Sequence, residues 1–267
     1  MHPEKQGRDR QSRGGLHSLE RRRDIVTRLR LDGRVEVTEL VERFATSAET
    51  IRKDLIALER RGYLLRVHGG AIPVQAMTFE PAIAARTENA EAKMRIAVKA
   101  LETLPADGAI LLDGGSTTLM MAEHLPVDLH LKVFTNSLPV AQALLAKPLV
   151  ECFTLGGRVR HNTSAEVGPA ALRTLGEIHV DAAYVGTNAV SFSRGLCTPD
   201  PDEAAVKAAM IRCATTTVLL VDHSKFGLDA LCAYAGLDEI DVLITDSDLA
   251  AGHREDLESQ SFEVELA

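Results

Sequence analysis

The 267-residue sequence predicts an α/β protein of two unequal domains. Residues 18–73 carry three helical stretches followed by a hairpin signal. Beyond residue 107, short apolar runs alternate with helical stretches, the rhythm of a parallel sheet covered on both faces. The charge is split the same way: residues 1–75 are net +5 and the remainder is net −13, within a total of −8.

Residues 1–17 hold Gly, Arg and Gln with almost nothing apolar, so they read as a disordered basic tail bearing Arg8, Arg10 and Arg13. From Leu19 the apolar residues Ile25, Val26, Leu29 and Leu31 recur at helical spacing, and Asp32-Gly33 ends the helix. Arg34 to Val37 is a short extended entry. Thr38 is expected to cap a second helix with Leu40, Val41 and Phe44 on its apolar face. After a turn at Ala45-Thr46, Ser47 caps a third helix with Ile51, Leu55 and Leu58 on one face, closed by Gly62. Tyr63–Val67 and Ala71-Ile72 read as two strands joined at His68-Gly69-Gly70. Three helices and a hairpin in so short a span is the winged helix-turn-helix arrangement.

Residues 74–89 read as a linker and helix start, with a helix from about Ala82 to Leu104 stopped by Pro105. The sequence from 90 onward forms the larger domain. Its strands are expected at Ala109–Leu112, Leu131–Phe134, Val150–Leu155, Ala182–Val185, Thr217–Val221 and Val242–Thr245. Helices fall near Thr117–Leu125, Pro139–Leu145, Ala170–Leu175, Glu203–Ala214 and Leu249–Gln260.

Composition narrows the function classes. Aromatics are 4% and Trp is absent, so the cores must be aliphatic. No apolar run approaches the roughly 20 residues that span a bilayer, and the start has no apolar secretory segment. A cytoplasmic protein without membrane contact is expected. Cys152, Cys197, Cys213 and Cys232 are scattered and read as reduced packing residues; with the nine His equally dispersed, neither a metal site nor a cofactor is expected. A basic head on an acidic body suits a DNA-binding domain on a soluble sensor.

Two constellations carry chemistry. The third helix offers Ser47, Glu49, Thr50, Arg52 and Lys53 near its start, where a helix-turn-helix meets base edges. Arg66 and His68 on the hairpin can reach phosphate or the minor groove. In the larger domain, Asp113 ends a strand and runs into Gly114-Gly115-Ser116-Thr117-Thr118. A glycine turn and hydroxyl residues opening a helix make a phosphate cradle. Thr135-Asn136-Ser137, Gly156-Gly157-Arg158 and Asp222-His223-Ser224-Lys225 also follow strands, and all such ends share one sheet edge. Arg158 and Lys225 are the expected charge partners of an anion. Glu203 and Lys207, four apart on one helix, are further candidates, although a simple intrahelical pair would explain them equally.

Thr50-Ile51-Arg52-Lys53-Asp54-Leu55 with Gly62-Tyr63-Leu64-Leu65-Arg66-Val67-His68-Gly69-Gly70-Ala71 resembles the signature of DeoR-type bacterial repressors. Leu112–Thr118, Thr135–Ser137, Gly156–Arg158, Asp222–Gly227 and Ile240–Asp246 match in order, so the resemblance spans about residues 19–260. Thr46 and Lys53 depart from the usual small aliphatic residue and Arg. The resemblance implies a larger domain similar to ribose-5-phosphate isomerases, a phosphorylated sugar as effector, operator DNA near sugar-uptake or catabolic genes, and a homo-oligomer (dimer or tetramer); fructose 1-phosphate or another hexose phosphate is our expectation for the sugar. The rival reading is an active sugar-phosphate isomerase with an appended head. In the isomerase-like pattern an acid would stand at Asn188, and an amide cannot accept a proton at neutral pH; Glu203 is the remaining candidate base. A binding protein with no catalytic residues is therefore expected.

Overall fold

Apolar residues at helical spacing build the small unit. The computed structural model describes residues 18, 21–29, 34–60, 63–67, 69–73, 80, 83 and 86–267. The chain divides into two units, Met1–Thr78 and Phe79–Ala267. In the first, residues 21–29 form α1. β1 (Val35–Glu36) leads directly into α2 (Val37–Phe44). Ala45, left-handed at φ 46°, ends α2. The Ser47 hydroxyl then caps α3 (Ala48–Glu59) by accepting from the Thr50 N–H at 3.2 Å. β2 (Leu64–Val67) and β3 (Gly70–Pro73) complete an antiparallel sheet in the order β1-β3-β2. Ile25, Leu29, Leu40, Ile51, Leu55, Leu58 and Leu64 form one buried cluster. This is the expected winged helix-turn-helix.

Thr38 does not cap α2. Glu36 occupies that position without a side-chain cap, and Thr38 lies inside the helix. The physical reason is the hairpin: the Val37 N–H, the first of the helix's free donors, bonds the Gly69 carbonyl at 2.7 Å, so the helix starts one residue before Thr38. The turn needs its second glycine, because a Cβ on Gly70 would lie 2.0 Å from the Val35 carbonyl oxygen. His68, Gly62, Asp32-Gly33 and the tail 1–17 fall outside the described residues.

The larger unit is built on a wholly parallel seven-stranded sheet. Its strands are β4 (Asp107–Leu112), β5 (His130–Thr135), β6 (Val150–Thr154), β9 (Val180–Val185), β12 (Ala214–Leu220), β14 (Val242–Thr245) and β15 (Glu263–Leu266). They lie in the order β15-β14-β12-β9-β4-β5-β6. Successive residues of a strand enter opposite cores, as the pleat demands. Ile110, Leu112, Ala182 and Tyr184 pack with residues of α4 (Ala90–Ala100), α5 (Ser116–His124) and α6 (Leu138–Leu144). Leu111, Ala183, Val185 and Leu219 pack with those of α7 (Pro169–Glu177) and α8 (Pro201–Arg212), and with Leu257 of α9 (Ala251–Glu258).

The helix expected from Ala82 begins only at Ala90 and gives way to a 3₁₀ turn at Leu101–Thr103. Residues 86–89 are tied sideways instead. Asn89 donates to Asp222 at 2.8 Å, and the buried Lys93 ammonium donates to the carbonyls of Glu88 and Arg86 at 2.6 and 3.3 Å. The helix expected to run to Ala214 stops at Arg212, because Ala214 is already in β12. Short strands went unread: the hairpin β7 (Arg158–Val159) and β8 (Glu166–Val167), and the antiparallel sheet β10 (Ala189–Ser191), β11 (Gly195–Thr198) and β13 (Cys232–Ala235). β15 was also missed, since Glu-Val-Glu-Leu on a sheet edge lacks an apolar run. The four cysteines are free thiols; Cys197 and Cys213 are buried, Cys152 and Cys232 half-buried. No described helix is long and apolar enough to cross a membrane.

Candidate functional site

The N-terminal unit presents charge on α3 opposite its apolar stripe. Arg52 and Lys53 are exposed while Ile51, Asp54 and Leu55 are buried. Lys53 pairs with Glu49 at 2.7 Å, with the two side chains 71% and 74% exposed, so the pair is solvated and can open at little cost. Arg52 makes no hydrogen bond or ion pair among the described residues, and it shares a surface depression with Arg66, Thr38 and Gly69. Arg66 is held by Glu59, which accepts its side chain at 2.7 Å and its backbone N–H at 3.0 Å. Asp54 has a different task. Its buried carboxylate receives Arg21 at 2.5 Å and Arg22 at 2.6 Å, locking α1 against α3. Helical spacing already puts Asp54 in the stripe of Ile51, Leu55 and Leu58, apart from Arg52 and Lys53, but does not name its partners.

In the larger unit a cavity of about 270 Å³ opens at the carboxyl edge of the sheet. Gly114–Thr118, following β4, form one wall. Gly115 stands at the N-cap of α5 without a side-chain cap, leaving the first-turn N–H groups to whatever enters. The Ser116 hydroxyl has no hydrogen-bond partner among the described residues, whereas Thr118 donates to the Gly115 carbonyl at 3.1 Å. Asp222 and Lys225, beyond β12, form a second wall. Burial opposes ionisation of Asp222, but hydrogen bonds from Ser224 and Asn89 and the Lys225 charge hold its carboxyl below the ordinary range. The neighbouring His223 is bonded to Asp246 at 2.7 Å, which fixes the turn that carries Lys225. The Lys225 ammonium itself makes no hydrogen bond or ion pair among the described residues.

Arg86, Glu88 and Lys93 supply a third wall that sequence reasoning missed, because this segment read as linker and helix. Burial lowers the Lys93 pKa. Thr187 and Asn188 line the cavity as well.

Several expected site residues are not free for a ligand. Asp113 is fully buried and pairs with Lys207, whose side chain is 2% exposed. Burial works to discharge Lys207, yet Asp113 keeps it protonated. Lys207 also donates to the Gly186 carbonyl at 3.0 Å. Lys207 therefore lines the cavity as part of its frame. Glu203 does not pair with Lys207; it binds Arg160. Burial raises the Glu203 carboxyl to about 7 against the pull of Lys207 and Arg160. Glu203 is not among the residues lining the cavity. Arg158 points to Asp202 at 2.5 Å on an exposed surface, and neither it nor Gly157 lines the cavity. Gly157 instead allows close backbone approach, since its Cβ would sit 2.6 Å from the Val167 carbonyl oxygen. Thr135, Asn136 and Ser137 are wholly buried behind Gly114. Ser137 caps α6, and Thr135 accepts its N–H at 3.0 Å. Of the four strand ends expected to converge, two border the cavity.

A winged helix-turn-helix joined in sequence to an α/β unit with a polar cavity defines the class of ligand-controlled DNA-binding regulators. Residues 21–76 match the DeoR-like helix-turn-helix domain, and residues 88–247 match the DeoR C terminal sensor domain. The chain belongs to the DeoR family. It is 38% identical over 247 residues to the HTH-type transcriptional regulator GlpR of Haloferax volcanii, covering 92% of this chain and 96% of that one. It is 36% identical over 230 residues to the uncharacterized HTH-type transcriptional regulator FruR of Bacillus subtilis, covering 86% and 91%. The glycerol-3-phosphate regulon repressor of Escherichia coli is 30% identical over 232 residues, covering 87% and 92%. These relatives are named regulators and repressors, not enzymes. Among solved structures, ribose 5-phosphate isomerase A of Methanocaldococcus jannaschii is 19% identical with a TM-score of 0.40, covering 52% of this chain and 55% of that one.

Proposed function

We propose that the protein is a transcriptional repressor of sugar-uptake or sugar-catabolism genes whose DNA binding is set by a phosphorylated sugar. Residues 18–73 bind operator DNA, with Ser47, Thr50, Arg52, Lys53 and Arg66 at the duplex. Residues 90–267 sense the metabolite. The observation that carries this reading is the meeting of three features in one cavity. These are the glycine-hydroxyl turn Gly114–Thr118, the start of α5 and the Lys225 ammonium. Backbone N–H groups at a helix start and a nearby cation bind phosphate oxygens. A hexose monophosphate is the effector class, with fructose 1-phosphate the first candidate. The chain acts as a homo-oligomer that spans repeated half-sites. An isomerase reading finds no support in this cavity: Asn188 offers an amide, and Glu203 is engaged elsewhere.

The test is a thermal-shift screen of pentose, hexose and triose phosphates, with operator gel shifts alongside. A native-state binder at free concentration c stabilises the fold by RT ln(1 + c/Kd) and so raises the melting temperature as ligand is added. A flat response across the panel would reject the sensor role, and conversion of any sugar phosphate to an isomer would revive the enzyme.

A further inference from the structure

We propose that Glu80 is a positioning residue which presents Arg86 to the ligand, so that Glu80 and residues 86–93, the chain that follows the DNA-binding unit in sequence, complete the ligand site. This rests on the sensor reading above and extends it to residues outside the glycine turn.

Glu80 has a side chain only 1% exposed. A buried carboxylate is tolerated only when its oxygens are fully hydrogen-bonded. Here three donors serve it. One oxygen accepts from Arg86 at 2.6 Å and from the Asn188 amide at 3.2 Å, and the other accepts from Arg160 at 2.5 Å. Both Arg86 and Asn188 line the cavity, while Glu80 stands behind them. The oxygen that accepts from the Asn188 amide thus also sets the position of Arg86. Asn188 is fixed from its other side too, since Thr198 donates to its carbonyl at 3.1 Å. A guanidinium is a rigid fork of N–H donors, the geometry that matches phosphate oxygens.

The segment is fastened on both sides of Arg86. Asn162 donates to the Glu80 carbonyl at 3.4 Å, and the Ile83 N–H donates to the Asn162 carbonyl at 3.0 Å. Downstream, Lys93 clamps the Arg86 and Glu88 carbonyls, and Asn89 holds Asp222. An anion that engages Arg86 therefore pulls on chain secured to the sheet at Asp222 and to the β7–β8 hairpin at Asn162. A ligand shifts a conformational equilibrium only through contacts that differ between the two states. Arg86 supplies such a contact on the chain that leads back to the DNA-binding unit.

A double-mutant cycle in the full-length chain tests this. Fructose 1-phosphate and inorganic phosphate serve as probes, with affinity read from the concentration dependence of the melting temperature. Arg86→Ala is expected to weaken binding about tenfold, the loss of one charge-assisted hydrogen bond. Glu80→Gln is expected to weaken it less, and the double variant no more than Arg86→Ala alone, because Glu80 acts through Arg86. Multiplying losses in the double variant would make Glu80 merely structural and overturn the proposal. Arg86→Lys guards against misfolding of the Glu80 variants. It keeps the charge and loses the fork, so it should bind more weakly than wild type though better than Arg86→Ala, and full retention of affinity would also overturn the proposal. A wild-type chain blind to both probes and to the sugar-phosphate panel sinks the sensor reading itself. A responsive wild type with an equally responsive Glu80→Gln variant sinks only the role of Glu80.

Discussion

The charged residues of α3 and those around the cavity obey opposite rules. On α3, Arg52, Lys53 and Glu49 stand in water, where pairs are weak and side chains are available to a partner. Around the cavity, Asp113, Lys207, Glu80, Arg160 and Glu203 lie inside the protein, and each is consumed by a charge of opposite sign. Buried ions must be paired because unpaired ones cost several kcal/mol. Charge type alone therefore does not mark a binding residue. In the N-terminal unit the charge of α3 is exposed. In the larger unit the buried charges build a frame, and Lys225 at the cavity makes no hydrogen bond or ion pair among the described residues.

This contrast can be broken at its strongest point first. Lys207→Met strands the Asp113 carboxylate in the interior and should cost about 3–5 kcal/mol, read by urea denaturation. A loss below about 1 kcal/mol, the worth of an exposed pair, would show that the pair is solvated and the frame idea mistaken. Next comes the rim. Lys225→Ala should leave operator affinity and stability intact and remove about 1.5–3 kcal/mol of effector binding, the scale of hydrogen bonds to charged groups. A normal ligand-induced melting shift would remove Lys225 from the site.

On α3, Arg52→Ala should cost about 1–3 kcal/mol of specific operator affinity if the side chain reads a base. Its melting temperature should not move, since the side chain is exposed and unpartnered among the described residues. An unchanged gel-shift affinity would take Arg52 off the duplex. The smallest effect is local. Ser47→Ala removes the α3 cap and should lower stability by about 1 kcal/mol. A neutral result would mean the cap is dispensable to the recognition helix.

Much of this was legible beforehand for a physical reason: local patterning. Helix α3 shows its apolar stripe in Ile51, Leu55 and Leu58, and its cap in Ser47. The strands β4, β9, β12 and β14 contain apolar runs, because both faces of the sheet are covered there, whereas β5 alternates exposed and buried residues. The glycine turn after Asp113 announced a helix start, which has no side-chain cap and lines the cavity. Other features had no local signature. Thr38 looked like a cap, but the hairpin carbonyl at Gly69 already serves α2. Glu203 and Lys207 sit at the spacing of an intrahelical pair, yet each finds a stronger partner from another element. Arg86 gave no periodic signal at all.

The sequence by itself determined the two-part architecture, the order of the main elements, the recognition helix and the glycine-hydroxyl turn, since each depends on residues close together in the chain. Only the tertiary structure decided which charges meet. Asp113 and Lys207 lie 94 residues apart, and Arg160 and Glu80 lie 80 apart. Pairing over such distances is set by how the sheet brings strand ends together, and no spacing rule along the chain encodes it.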